Sequence, residues 1–377
     1  MKHLLVGNGI NIQFDNKNYT SQQIMLRILK NCDQDDFPAH VIIQPSYLLK
    51  NYFGQLFLEA REVIIGNYDK YATCTAEREA IIAFRDQYDS KISSLRITDI
   101  GLEDYYLIHD LFSHKMSIHN PEQFNIREAM KLAYFYAIYN DGSINSLYTL
   151  YPEKFINYLK GFDSIYTTNY DSNIESATSN IIYHIHGQFD KVADIYNPDS
   201  FRNQLPDMPI KDFEIDDRYP YLYCNALSTY CGAYKQFQIN QNSSANNAID
   251  KFAQAYISDP EVKKQIDSWC YNTNRLLSNM GHAIQLKAAH PELCFSENYH
   301  FDKFKAITGE LTIIGLSPWN DFHIFESINN ATIEKCKYYY FSDIECERIE
   351  RLLPELYSTG KLEFKSVNDF WSWINEN

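Results

Sequence analysis

Apolar residues recur along this chain in two rhythms: short unbroken runs that end in small or polar residues, and longer stretches with an apolar face every three or four positions. The first run, residues 2 to 6, passes into a loop from Gly7 to Asn18 and then a helical pattern from about Ser21 to Lys30, the βα opening of a Rossmann-like half. From about 36 to 150 the pattern is helical and polar-aromatic. Tyr105, Ile108 and Phe112 recur at helical spacing, and a helix over Arg127 to Tyr139 is stopped by Asn140-Asp-Gly142. A helix near Pro152 to Leu159 then leads to buried strands from Ser164 to Thr168 and from Ile181 to Ile185.

Between about 191 and 300, Asp259-Pro260-Glu261 reads as an N-cap followed by proline at the first helical position. Val262, Ile266, Trp269, Thr273, Leu276 and Met280 keep one face after it, which predicts a single long packed helix, and the run from Asn240 to Asn247 predicts a mobile loop. The remaining residues alternate: a strand from Leu311 to Leu316, a helix capped by Asp321, a strand from Lys337 to Phe341, a helix opened by the capping box Ser342-x-x-Glu345, a strand from Leu362 to Phe364 and a helix after Ser366. Strands alternating with helices imply a parallel sheet with both faces covered. The fold class expected is therefore α/β, a Rossmann-like parallel sheet enlarged by two mainly helical insertions. Its core comes from 1–35, 151–190 and 301–377, and the insertions are 36–150 and 191–300, in one domain spanning 1–377 although the length leaves room for two.

Composition narrows the class of function. A net charge of −15 with no basic stretch argues against direct binding of nucleic acid, whose phosphates need a basic face. No segment has the length and apolarity of a membrane span, nor the pattern of a signal peptide, so a soluble cytoplasmic protein is expected. The eight cysteines include no Cys-x-x-Cys, and His109, His114 and His119 lack the spacing of a helical zinc pair, so no metal is expected. Tyr 30 and Phe 23 make the chain aromatic-rich, which fits core packing and also oligomer interfaces.

The chemistry concentrates where strands end. Glycine is scarce, 13 in 377 residues, yet Gly7, Gly9, Gly187 and Gly315 all fall at such junctions, where backbone approaches a ligand closely or takes positive φ. The strand ending at Thr168 presents Asn169 and Asp171, and the next presents His186 before Gly187. Open α/β sheets build their sites at these carboxyl ends. His184 alternates with His186 and so faces the opposite side, toward the core.

Taken in order, Gly7-Asn8-Gly9-Ile-Asn11, Thr167-Thr168-Asn169-Tyr-Asp171, His184-Ile-His186-Gly187 and Gly315-Leu-Ser317 resemble the motifs of the sirtuin family, and within it the bacterial NAD-cleaving branch of phage defence. The resemblance implies that Gly7, Asn8, Gly9 and Asn11 hold the NAD+ phosphates, with Asn11 capping the following helix or reaching the ribose. It places Thr168 beside the cofactor, and Gly315 and Ser317 at the adenosine ribose. His186 then acts as general base on a ribose hydroxyl or water, and Asn169 positions that group. Asp171 stabilises the cation, orients the loop or caps a helix.

Two departures bear on substrate. Cys224, Cys231, Cys270 and Cys294 cannot form the paired zinc knuckles of protein-deacylating sirtuins, and Ile12-Gln-Phe-Asp15 stands where those carry Pro-Asp-Phe-Arg. The resemblance thus implies NAD+ as the substrate of a hydrolase yielding nicotinamide and ADP-ribose during abortive infection, or else a non-catalytic NAD or ADP-ribose sensor. It also implies a homo-oligomer and a separate partner, an ATPase or a trigger protein.

Overall fold

The computed structural model describes residues 1–34, 46–119, 122–191, 216–228, 232–291 and 299–376. Six parallel strands form its sheet: β1 Lys2–Val6, β2 Ser164–Thr167, β3 Ile182–His184, β4 Thr308–Ile314, β5 Thr332–Tyr340 and β6 Leu362–Ser366, in the spatial order β3-β2-β1-β4-β5-β6. This is the doubly wound order of Rossmann-like folds, whose direction of winding reverses between β1 and β4 and opens a crevice at their carboxyl ends. The central strands are near-continuous apolar runs because both faces are covered.

Alternation sorts the strand side chains into two cores. Leu5, Tyr166, Leu311 and Ile313 pack with Phe304, Ile324, Phe325 and Ile349 on one face, while Leu4, Val6, Ile165 and Ile314 pack with Phe155, Leu159, Phe370 and Trp371 on the other. A third core is helical. Phe53, Tyr105, Tyr106, Tyr134 and Phe135, all buried, come from the helices Tyr47–Ile64, Asp104–Met116 and Glu122–Tyr139 and meet in edge-on pairs such as Phe53 with Tyr105 and Tyr106 with Tyr134. The aromatic richness of this region thus fills an internal core, which removes it as an argument for an oligomer interface. Phe135 also meets Tyr170 and Phe189 edge-on, seating the helical layer over the carboxyl end of the sheet.

Several local expectations give way to packing. The stretch expected as a loop from Gly7 to Asn18 contains the short helices Gly9–Phe14 and Asn16–Tyr19. The run from Asn240 to Asn247 lies inside the helix Gly232–Ser258, which contacts Thr75–Tyr88, Phe322–Asn330 and Arg275–Ala289; these tertiary contacts override the weak helix propensity of Asn and Ser. The single long helix expected after Asp259 is two, Pro260–Trp269 and Arg275–Ala289, separated by a turn in which Asn272 Oδ1 accepts from the Asn274 amide. The cap itself is as expected, Asp259 accepting from the amides of Glu261 and Val262. In the capping box only Glu345 engages, and it reaches the Phe341 amide.

Candidate functional site

The loops after β1 and β4 touch. The Gly7 amide donates to the Ile314 carbonyl at 3.0 Å and the Gly9 amide to the Gly315 carbonyl at 2.9 Å. A Cβ on Gly7 would stand 2.5 Å from the Gly315 oxygen and one on Gly9 2.5 Å from the Gly315 Cα, while Gly315 itself has φ +71°. The three glycines are therefore required by loop-on-loop contact, and the Gly7 and Gly9 amides, on the loop the resemblance assigns to the phosphates, are already bonded to the last residue of β4 and the one after it.

Below this junction lies a cavity of about 220 Å³, lined by Asn8, Asn11, Thr168, Asn169, Asp171 and His186 from the sheet end and by Glu103, Tyr134 and Ser228 from the layer above. Six of the residues singled out from sequence thus converge on one space. Gly7, Gly9 and Gly315 sit behind it, and Ser317 is exposed outside it. Asn11 Oδ1 and Tyr134 Oη are buried without a hydrogen-bond partner among the described residues. Buried polar atoms left unpaired in a cavity wall are what a polar ligand or ordered water would satisfy.

Asn169 Nδ2 reaches the Gly7 carbonyl at 3.4 Å, a long bond and the one its side chain makes among the described residues. Asp171 is different. Its Oδ2 accepts from Asn11 Nδ2 at 2.7 Å and its Oδ1 from the Asn173 amide at 3.1 Å and side chain at 2.6 Å. Burial raises its pKa while these donors oppose the rise. The carboxylate is a clamp joining the β1 and β2 loops, and Asn11 is held by that clamp.

His184, expected in the core, is buried at the end of β3 and holds polar partners. Its Nδ1 donates to the Asn169 carbonyl at 2.9 Å and its Nε2 meets the Glu175 carboxylate. Both ring nitrogens face acceptors, and although burial disfavours its charge, Glu175 raises its pKa. His184 thus fixes the backbone that presents Asn169.

His186, on the other side, stacks on His323 with ring centroids 5.0 Å apart, and the two Nε2 atoms share a 2.9 Å hydrogen bond. Asp321 Oδ1 stands 3.8 Å from His186 Nε2. Burial drives the His186 pKa down to about 3, Asp321 opposing and Lys235 reinforcing the drop, so the ring is neutral at neutral pH. His323, equally enclosed, is also lowered by burial and by its histidine neighbour.

Asp321 does not cap its helix. Its Oδ1 accepts from Lys235 Nζ at 3.0 Å, and Lys235, fully buried on the Gly232–Ser258 helix, also donates to both Glu103 oxygens at 2.7 and 2.9 Å. Burial pushes the Glu103 pKa up to about 7 against the pull of Lys235. Sequence reasoning passed over Glu103, Lys235 and His323. His323 had a faint signal, two positions past Asp321 after the last glycine junction; Glu103 and Lys235 had none. Of the cysteines weighed for zinc, Cys224 and Cys270 are free thiols, and Cys231 and Cys294 lie outside the described residues. No helix among the described residues is long and apolar enough to cross a membrane.

The fold and site define an α/β protein with a six-stranded parallel, Rossmann-like sheet and a cavity near its switch point, into which several polar side chains converge. The chain finds no matching family model, no matching curated protein and no matching solved structure.

Proposed function

We propose that the protein is an NAD+ glycohydrolase that cleaves the nicotinamide glycosidic bond to give nicotinamide and ADP-ribose, acting in antiphage abortive infection as a sirtuin-like enzyme. The observation that carries this reading is the convergence of Asn169 and His186 on one cavity at the carboxyl end of a sheet of Rossmann order. Its volume is below the roughly 300–1,000 Å³ of most small-molecule sites, so it suits the nicotinamide-ribose end of the dinucleotide, with the adenosine half outside.

Cleavage develops positive charge at the ribose C1′ and releases neutral nicotinamide. Neutral His186 takes a proton from water or a ribose hydroxyl once its Nε2 parts from His323, and Asp321, 3.8 Å from that nitrogen, stabilises the imidazolium that forms. Asn169 orients the attacking group by hydrogen bonding without adding charge. With the Gly7 and Gly9 amides engaged at the end of β4, the phosphates would take the second amide hydrogens of Asn8 and Asn11, whose first go to the Tyr19 carbonyl and to Asp171. The cytoplasm supplies the substrate; a homo-oligomer would hold the hydrolase silent, and a trigger protein or an ATPase partner would release it on infection.

The second reading is a non-catalytic NAD or ADP-ribose sensor, favoured by the hydrogen bond that ties His186 Nε2 to His323. Nicotinamide release by the purified chain separates the two. Turnover supports the hydrolase, and binding of NAD+ without turnover supports the sensor.

A further inference from the structure

His186, His323 and Asp321 lie 137 residues apart in sequence at their extremes, yet each offers a ligand atom within 4.8 Å of the other two. His186 is delivered by the loop after β3, and the other two by the start of the Phe322–Asn330 helix after β4. From the geometry of this trio we infer a binding site for one divalent first-row transition-metal ion, with its open side on the cavity that His186 and Asp321 line.

The spacing fits ligation. Metal–imidazole bonds are about 2.0–2.1 Å long, so two nitrogens 2.9 Å apart can both bind one ion at an angle of about 90°, the cis angle of an octahedral centre. Two imidazoles and one carboxylate with open positions form a facial set suited to such ions. Asp321 needs to close the 3.8 Å gap to His186 by about 1 Å to complete it. Without an ion, the two Nε2 atoms must share a single proton.

Charge around the site permits the ion. Lys235 is the opposing cation, but Glu103 binds it through both oxygens and Asp321 contributes a second negative charge, leaving this buried trio one negative charge in excess when both carboxylates are ionised. Lys235 bonds to the same Oδ1 of Asp321 that stands 3.8 Å from His186, so the carboxylate must share that oxygen with the ion or turn to offer Oδ2.

Binding would occupy the Nε2 lone pair of His186. On the NAD+ reading proposed above, the loaded protein then has no free base, and the metal acts as an inhibitor.

The test is a titration of the full chain, stripped with chelator, using Co2+ followed by visible absorption and by metal analysis after gel filtration, with Zn2+ as competitor. Retention of about one Co2+ per chain, displaced by Zn2+, is expected from the wild type and from Asn169→Ala. His323→Ala and Asp321→Asn should bind at least tenfold more weakly, the usual loss when a ligand or its support is removed. No retention by the wild type, or equal retention by a folded His323→Ala or Asp321→Asn chain, overturns the site. Should the stripped protein fail to release nicotinamide while retaining Co2+, the hydrolase reading falls and the metal site stands. If it releases nicotinamide and retains no metal, only the metal site falls.

Discussion

His186 and His323 meet through their Nε2 atoms at 2.9 Å, joining the loop after β3 to the helix after β4 across the carboxyl end of the sheet. Because this bond holds one ring of the proposed base, its loss should free His186 and also leave it less well oriented. His323→Ala is therefore expected to lower nicotinamide release by about tenfold through kcat, less than loss of His186 itself. Steady-state kinetics of the two variants check the order, and equal losses would make His323 as essential as the base.

Asn169→Ala should abolish turnover while leaving the melting temperature within about 2 °C of wild type. The side chain makes one long bond and lies in a cavity wall, so truncation opens little core. A large fall in melting temperature would make Asn169 structural and strip the activity loss of chemical meaning.

Asp171 is expected to matter for stability more than for chemistry. Asp171→Ala leaves Asn11 and Asn173 donors buried without acceptors, each worth about 1–3 kcal/mol, and should cost roughly 2 kcal/mol or more in denaturant unfolding. Asp171→Asn, which keeps an acceptor, should cost less. Full stability in the alanine variant would refute the clamp.

Gly9→Ala should destabilise by about 1–3 kcal/mol, since the new Cβ would press on Gly315 and force two loops apart. Here the sequence and the structure part in an instructive way. Glycines at strand ends were legible as a demand for close approach, and their agent is the neighbouring loop. Asn169, His186 and Asn11 were legible because strand ends converge in a parallel sheet whatever the intervening chain does. Lys235 and Glu103 were not, because helices far away in sequence bring them in and no local spacing announces a buried ion pair. Asp321 misled for the same reason: an aspartate at a helix start ordinarily caps, but a buried ammonium holds it more strongly than backbone amides.

Acid should loosen the helical layer through Glu59. Burial alone would raise its pKa, but hydrogen bonds from Lys115, Tyr68 and Gln55 outweigh it and hold the carboxyl below its ordinary 4.5. A group depressed in the folded state adds stability above its unfolded pKa and loses it as pH falls through the folded one. The melting temperature of the wild type should therefore drop below about pH 4.5, and Glu59→Gln should show a shallower drop over the same range.

The central claim is settled most directly by nicotinamide release from NAD+ by the purified, metal-stripped full chain, measured beside His186→Ala. The account predicts stoichiometric nicotinamide and ADP-ribose from the wild type and a rate lower by a factor on the order of a hundred or more in the variant. NAD+ left intact by the wild type, or cleaved equally fast by a folded His186→Ala chain, would contradict it.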